Sequence, residues 1–290
     1  MKFRELRSFL NKHRSPFHDF SLGILIGYHR LFELGNVVFI DDNVVRITKN
    51  TIRCFNFNEN FVDINEFNKK KITIFMHSDI GEISKYEKKK IENITNDVGM
   101  CLDRFSYSNK KKRRILSGYE NFLRKNRDYL LTEEITKKNI HVVKEIYERW
   151  IDFKTKNKGL STRMFPSYYL ATERCIKQNV KLFKKVFYYD GVPFAYRVDD
   201  IEFGDMAFLI SFSSLFFDRS FPSNLSNYVT LMSYSMMKDS GVKVVNTGRP
   251  TTTSLRRFKE SFAGTKIIEH FVYKKKNEDE PNTSLDRWLT

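Results

Sequence analysis

The chain has 290 residues, 41% of them hydrophobic and 15% aromatic, with only 12 Gly and 6 Pro; this is enough to bury a core, and it excludes disordered and fibrous classes. Its 51 Lys and Arg against 35 Asp and Glu leave a formal charge of +16, so polyanions are drawn to the surface, with nucleic acid first among them. The alternative is a basic enzyme whose lysines only solvate its faces.

The opening MKFRELRSFLNKHRS lacks the apolar stretch of a signal peptide, and no window approaches the roughly 18 apolar residues that cross a bilayer. A cytoplasmic chain without a membrane span is expected. Cys54, Cys101 and Cys175 lie far apart, without the paired spacing of zinc or redox sites, and read as reduced core thiols with no metal. Between Val37 and Asn58 the runs NVVFI, NVVRIT and TIRCFNF, separated by turn formers, predict a strand meander, and KKITIFMH at 70–77 predicts another strand. Ile91, Ile94, Val98 and Leu102 recur at steps of three and four and predict a helix over 82–102, followed by a strand in LDRFSYS.

Residues 109–127, NKKKRRILSGYENFLRKNR, put Ile115, Tyr119, Phe122 and Leu123 on one side of a helix with basic ends. Lys111, Lys112, Arg113, Arg114, Arg124, Lys125 and Arg127 form the densest basic cluster in the chain. It is either a solvated linker helix or a phosphate-tracking surface with Tyr107 and Tyr119 near for stacking.

Helices are predicted over 138–156 and 166–178. KLFKKVFYY, VPFAYRVDDIEF and MAFLISFSSLFF, divided by DG and GD, then predict three antiparallel strands. A helix over 224–238, the strand VKVVN, a helix over 254–262 and the strand KIIEHFVYK follow. The divisions are a first unit at 1–108, a basic linker helix at 109–130, a second unit at 131–276 and a charged tail at 277–290, in which Trp288 and Leu289 can dock.

The order of elements in the second unit resembles the GCN5-related N-acetyltransferase (GNAT) fold. The basic RRILSGYENFLRKNR, YYDGVPFAYRV, the strand VVNTG and LRRFKESFAG together resemble the aminoacyl-transferring branch: the Fem peptidoglycan transferases and the C-terminal domain of the phosphatidylglycerol lysyltransferases. The resemblance covers about residues 28–273. It implies an α/β (α+β) protein of tandem GNAT-like lobes, the first degenerate, each a mixed, mostly antiparallel sheet flanked by helices. It also implies a transferase that moves an activated aminoacyl group, carried on tRNA, to an amine or hydroxyl acceptor. By position, Lys259 in RFKESF matches the lysine placed near the reacting ester, and Asn246 and Gly248 match the strand end that opens the site.

Acyl transfer needs fixed donors for the developing oxyanion and a route for the acceptor's proton. In the helix at 254–262, Leu255, Phe258 and Phe262 form an apolar stripe that leaves Arg256 and Lys259 together on another face. Thr252 or Thr253 can cap its first turn, where free N–H groups suit a phosphate or carboxylate beside Arg249. Acetyl-CoA enzymes of the GNAT class cradle a pyrophosphate in a glycine-rich loop; here RSFPSN at 219–224 puts Pro222 and Asn224 at the glycine positions, so aminoacyl-tRNA is favoured over coenzyme A as donor and no permanently bound cofactor is expected. Arg219 and Ser223 remain as phosphate contacts or as a solvated charge and a simple cap.

The proton acceptor stays open among Asp199, Asp200, Glu202 and Asp205, which as acids at strand turns read as solvated, and Glu269 and His270, the latter a core or a catalytic residue. No Ser-His-Asp order, HExxH or P-loop is present. Two other functions are carried alongside: a GNAT-like enzyme that modifies DNA bases, as in bacteriophages, and a non-catalytic nucleic-acid-binding protein on a transferase scaffold.

Overall fold

The structure is a computed structural model that describes residues 3–13, 21–29, 36–40, 43–47, 51–54, 71–76, 86–89, 97–102, 110–158, 168–218, 220–222, 224–250, 252–262, 264–268 and 271–275. For the strands within 36–89, for 110–116 and for 271–275 the description is of backbone alone.

Two sheets organise the chain. The first has the order β1-β2-β3-β4-β13-β5 and joins Asn36–Ile40 (β1), Asn43–Ile47 (β2), Thr51–Cys54 (β3), Lys71–Met76 (β4), Phe271–Lys275 (β13) and Tyr86–Lys89 (β5). The second has seven strands in the order β12-β6-β11-β10-β9-β8-β7. They are Thr265–Ile268 (β12), Asp97–Cys101 (β6), Val244–Asn246 (β11), Met206–Ser214 (β10), Val192–Asp200 (β9), Leu182–Tyr189 (β8) and Leu130–Glu134 (β7). In this sheet only the β10–β11 pair is parallel.

The meander β8-β9-β10 forms where the alternation of its residues predicts it. Asp190 (φ 49°) and Gly191 (φ 75°) make the tight, left-handed turn that matches strand twist, and Gly204 (φ 79°) serves the next connection. Helices Phe3–Lys12 (α1), Leu22–Gly27 (α2), Ile140–Lys158 (α4) and Tyr168–Lys177 (α5) pack on one face around Tyr196, Val198, Phe208 and Ile210. Lys110–Asn126 (α3) and Leu225–Asp239 (α6) cover the other face, over Phe183, Phe187, Phe194 and Ala207. Helix α3 is a docked element: Phe122 is buried and Tyr119 stacks on Tyr228 of α6 at 6.5 Å. The last helix, Thr253–Glu260 (α7), follows β11.

Several expectations need correction. The helix over 82–102 is replaced by β5 and β6. Strand β6 is flanked by strands on both sides and buried along Asp97–Met100, and a short apolar run covered on both faces carries no period that separates helix from strand. The single strand over 266–274 is two, β12 in the second sheet and β13 in the first. Helices α1 and α2 and strand β7 are additions. Helix α2 is buried throughout, so its LGILIG shows no amphipathic stripe. Asp199 and Asp200, read as solvated turn acids, are both fully buried. The strand in LDRFSYS past Leu102, the side chain of Cys54 and the tail at 277–290 lie outside the described residues. Of the other cysteines, Cys175 is a buried free thiol and Cys101 a half-buried one. Among the described residues no helix is long and apolar enough to cross a membrane.

Candidate functional site at the end of strand β11

Strands β10 and β11 pair only through Met206↔Val244, Ala207↔Val245 and Phe208↔Asn246. Beyond that point β10 continues as Leu209–Ser214 while β11 ends, and no described strand pairs with β10 on that side. A bulge at Ile210, between the register positions of Leu209 and Ser211, turns β10 at the same level, and the Ile210 carbonyl accepts the Tyr28 hydroxyl at 2.6 Å. The two strands therefore part at Asn246.

The chain leaves β11 through a turn built by Asn246. Its Oδ1 accepts the Gly248 N–H at 2.8 Å, and its Nδ2 donates to Asp97 Oδ2 at 2.9 Å. The first bond closes an Asx turn, and Gly248 at φ 70° supplies the left-handed residue that completes it. The Thr247 N–H and hydroxyl both donate to the Val98 carbonyl, at 2.9 and 2.8 Å, and the Val98 N–H donates to the Gly248 carbonyl at 3.2 Å. Asp97 and Val98 of β6 thus fix both sides of the turn.

Helix α7 places Lys259 on that turn. Thr252 caps the helix by accepting the Leu255 N–H at 3.1 Å, and buried Phe262, in edge contact with Tyr234, pins its far end. The face that meets the turn is the one that carries Lys259. Leu255 and Phe258 are each 37% exposed, while half-buried Lys259 donates from Nζ to the carbonyls of Thr247 at 2.8 Å and Gly248 at 3.0 Å. The turn offers an amine two ready acceptors, whereas the apolar stripe needs only contact area, most of it supplied by Phe262, on whose ring Phe258 packs. Burial of the amine lowers its pKa to about 7; Asp97 opposes the shift and Arg197 adds to it.

Arg197 was absent from the predicted site. It is 5% exposed on β9, donates to both carboxylate oxygens of Asp199 at 2.7 and 2.9 Å, and lies 4.9 Å from the centre of the Tyr234 ring. Burial disfavours its charge, and Asp199 and Tyr234 restore it. The signal available in YRVDD is an Arg and an Asp two apart in a strand, which share a face. Asp97 is the other residue missed, because 82–102 reads as a helix. Asp200 lies on the opposite face of β9, accepts the Gly23 and Glu202 N–H groups at 2.7 and 2.8 Å, and is raised by burial to about 6; it is a structural acid.

Of the other predicted site residues, Arg249 is half-buried in the turn beyond Gly248, and Thr253 is exposed at the start of α7. Arg256 pairs with Glu260 at 2.7 Å along its own helix. Glu202 accepts the Lys181 N–H and pairs with Arg7. Asn224 sits at the start of α6 at φ 75°, a backbone conformation that favours glycine. Arg124, Lys125 and Arg127 are exposed; Arg124 donates to Asn121 within α3. Arg219, Ser223, Glu269 and His270, and the side chains of Lys111, Lys112, Arg113 and Arg114, lie outside the described residues. Among those described, no group of three His, Cys, Asp or Glu can hold a metal ion.

No protein-family model and no curated protein matches the sequence. Solved structures do match. A conserved protein of unknown function from Bacteroides thetaiotaomicron superposes at a TM-score of 0.72 and 14% identity, covering 94% of this chain and 96% of that one. The L-PGS structure from Bacillus licheniformis gives 0.62 at 12% identity, covering 99% and 94%. FemX gives 0.54 at 9% identity, covering 94% and 96%. At these identities the likeness is one of fold. The chain has the GNAT-like fold of L-PGS and FemX, with mostly antiparallel sheets flanked by helices.

Proposed function

We propose that the protein is an acyltransferase that takes an activated aminoacyl group from a charged tRNA and passes it to an amine or hydroxyl acceptor. The observation that carries the reading is the Lys259 amine, held by the Thr247 and Gly248 carbonyls where β10 and β11 part. An ammonium has three donors. Two are spent on the turn, and the third is available to the carbonyl oxygen of an ester seated between the strands. As the acceptor nitrogen or oxygen bonds to the carbonyl carbon, negative charge gathers on that oxygen and the ammonium stabilises it. Collapse breaks the ester C–O bond, and the ribose oxygen leaves with the proton that the acceptor gives up.

The donor is read from the same end of the fold. Coenzyme A binding of the usual kind needs backbone N–H groups ahead of α6; Pro222 has none to give, and Asn224 adds a side chain where a phosphate must approach. The excess of basic residues suits RNA.

The test combines binding and transfer. Charged tRNA, uncharged tRNA and duplex DNA are titrated across a salt series, and charged tRNA carrying labelled amino acid is incubated with amine and hydroxyl acceptors. The expected result is a preference for charged tRNA and label transfer that falls by about 10²- to 10³-fold in Lys259→Ala. Equal binding of all three without transfer would leave a nucleic-acid-binding scaffold, and a preference for duplex DNA would favour base modification.

A further inference from the structure

We propose that Asp97 is a positioning residue for the Lys259 amine, brought by β6 to the turn at 246–248 both to anchor that turn and to supply the negative charge opposite the amine. The proposal deepens the transferase reading and rests on it for the purpose of the site, while its geometry stands independently.

Strand β6 comes from the half of the chain that builds the first sheet, yet it lies between β11 and β12 in the second. Asp97 is 1% exposed, and its carboxylate accepts from Asn246, which is fully buried. An unbroken chain of hydrogen bonds then runs from Asn246 Nδ2 to Asp97, from the Gly248 N–H to Asn246 Oδ1, and from Lys259 Nζ to the Thr247 carbonyl, which shares one peptide group with that N–H. A buried carboxylate is costly unless it is paired and hydrogen-bonded. One that ends in an amide chain leading to an ammonium is placed where its charge acts on that ammonium.

The other charges near the amine do not replace it. Glu260 on α7 is paired with Arg256. Asp199 on β9 is held by two bonds from Arg197, and Tyr234 of α6 lies under that guanidinium. Arg197 repels the amine's charge and Asp97 attracts it, so the fraction of Lys259 that is protonated near neutral pH depends on the balance between them.

The experiment measures that fraction directly. Full-length protein is labelled with trace acetic anhydride over a pH series, and the rate at Lys259 is read by peptide mass spectrometry against a free-amine standard. Asp97→Asn keeps an acceptor for Asn246 Nδ2 and removes the charge. The expected result is a lower protonation midpoint for Lys259 and labelling several-fold faster below neutral pH, with Asp97→Glu returning the midpoint toward wild type. A folded Asp97→Asn protein with an unmoved midpoint overturns the proposal. Should that variant fail to fold, Asn246→Ser retains the carboxylate and removes the amide that shares its charge; the midpoint is then expected to rise, and an unmoved one overturns the proposal equally. Labelling uses neither donor nor acceptor, so a failed transfer assay with a shifted midpoint removes only the transferase reading.

Discussion

Lys259 has its pKa brought down to about 7, so its charge changes within the physiological range. If the ammonium is the form that stabilises the oxyanion, the transfer rate falls as pH rises through about 7. Lys259→Arg, whose charge persists throughout, loses that limb even if its absolute rate is lower. Steady-state kcat/KM from pH 5.5 to 8.5 checks this; a wild-type rate that climbs through the same window would assign the lysine as a base. The linkage to stability has the opposite direction. The folded state releases the Lys259 proton earlier than the unfolded chain does, so stability rises with pH between the folded and unfolded pKa values. Asp200 behaves differently. Its carboxyl is raised to about 6 by burial, so the folded state holds a proton that the unfolded chain has lost, and stability falls as pH rises from about 4 to about 6, by roughly 3 kcal/mol if the whole shift is realised. Urea unfolding of wild type and Asp200→Asn across that window should show the difference between them moving in the variant's favour as pH rises.

Helix α2 illustrates how tightly an element can be held by its smallest residue. The Gly23 N–H donates to Asp200 at 2.7 Å, and a Cβ at Gly23 would lie against the Ile210 side chain and 2.9 Å from Asp200 Cβ. The end of the Ile210 side chain can turn aside, but Asp200 Cβ is fixed to the backbone of β9 and cannot withdraw without moving the carboxylate that holds the Gly23 N–H. Gly23→Ala is therefore expected to destabilise by about 1–3 kcal/mol, despite alanine's better helix propensity, as a lower urea midpoint at unchanged slope. None of this packing is legible in LGILIG. The meander β8-β9-β10 is legible, because DG and GD punctuate runs of period two. The cap at Thr252 and the Lys259 position are legible as well. What could not be read from the chain is which side of α7 turns inward, since that depends on two carbonyls delivered by β11, or that Asp97 sits on a strand, since NDVGMC is too short to show a period and its partners lie nearly 150 residues away. Local pattern finds elements whose neighbours are adjacent in sequence. It misses those completed by distant ones.

At the scale of the whole molecule, the two sheets exchange strands: β6 enters the second sheet, and β13 returns to the first. The candidate site is then a composite of β6, β9, β11 and α7, and α3 lies against α6 with its exposed C-terminal cations beyond. Arg124, Lys125 and Arg127 are the test of whether this basic surface tracks a phosphate backbone. Each cation that neutralises an RNA phosphate releases counterion, adding between about 0.7 and 0.9 to the slope of log affinity against log salt. If all three engage, Arg124→Gln, Lys125→Gln and Arg127→Gln combined should flatten the slope for tRNA by about 2 to 3 and weaken binding most at low salt. The fold is expected to survive, because these side chains are exposed while Phe122 continues to anchor the helix. A triple variant with the wild-type slope and affinity would make α3 a structural brace whose charge is merely solvated.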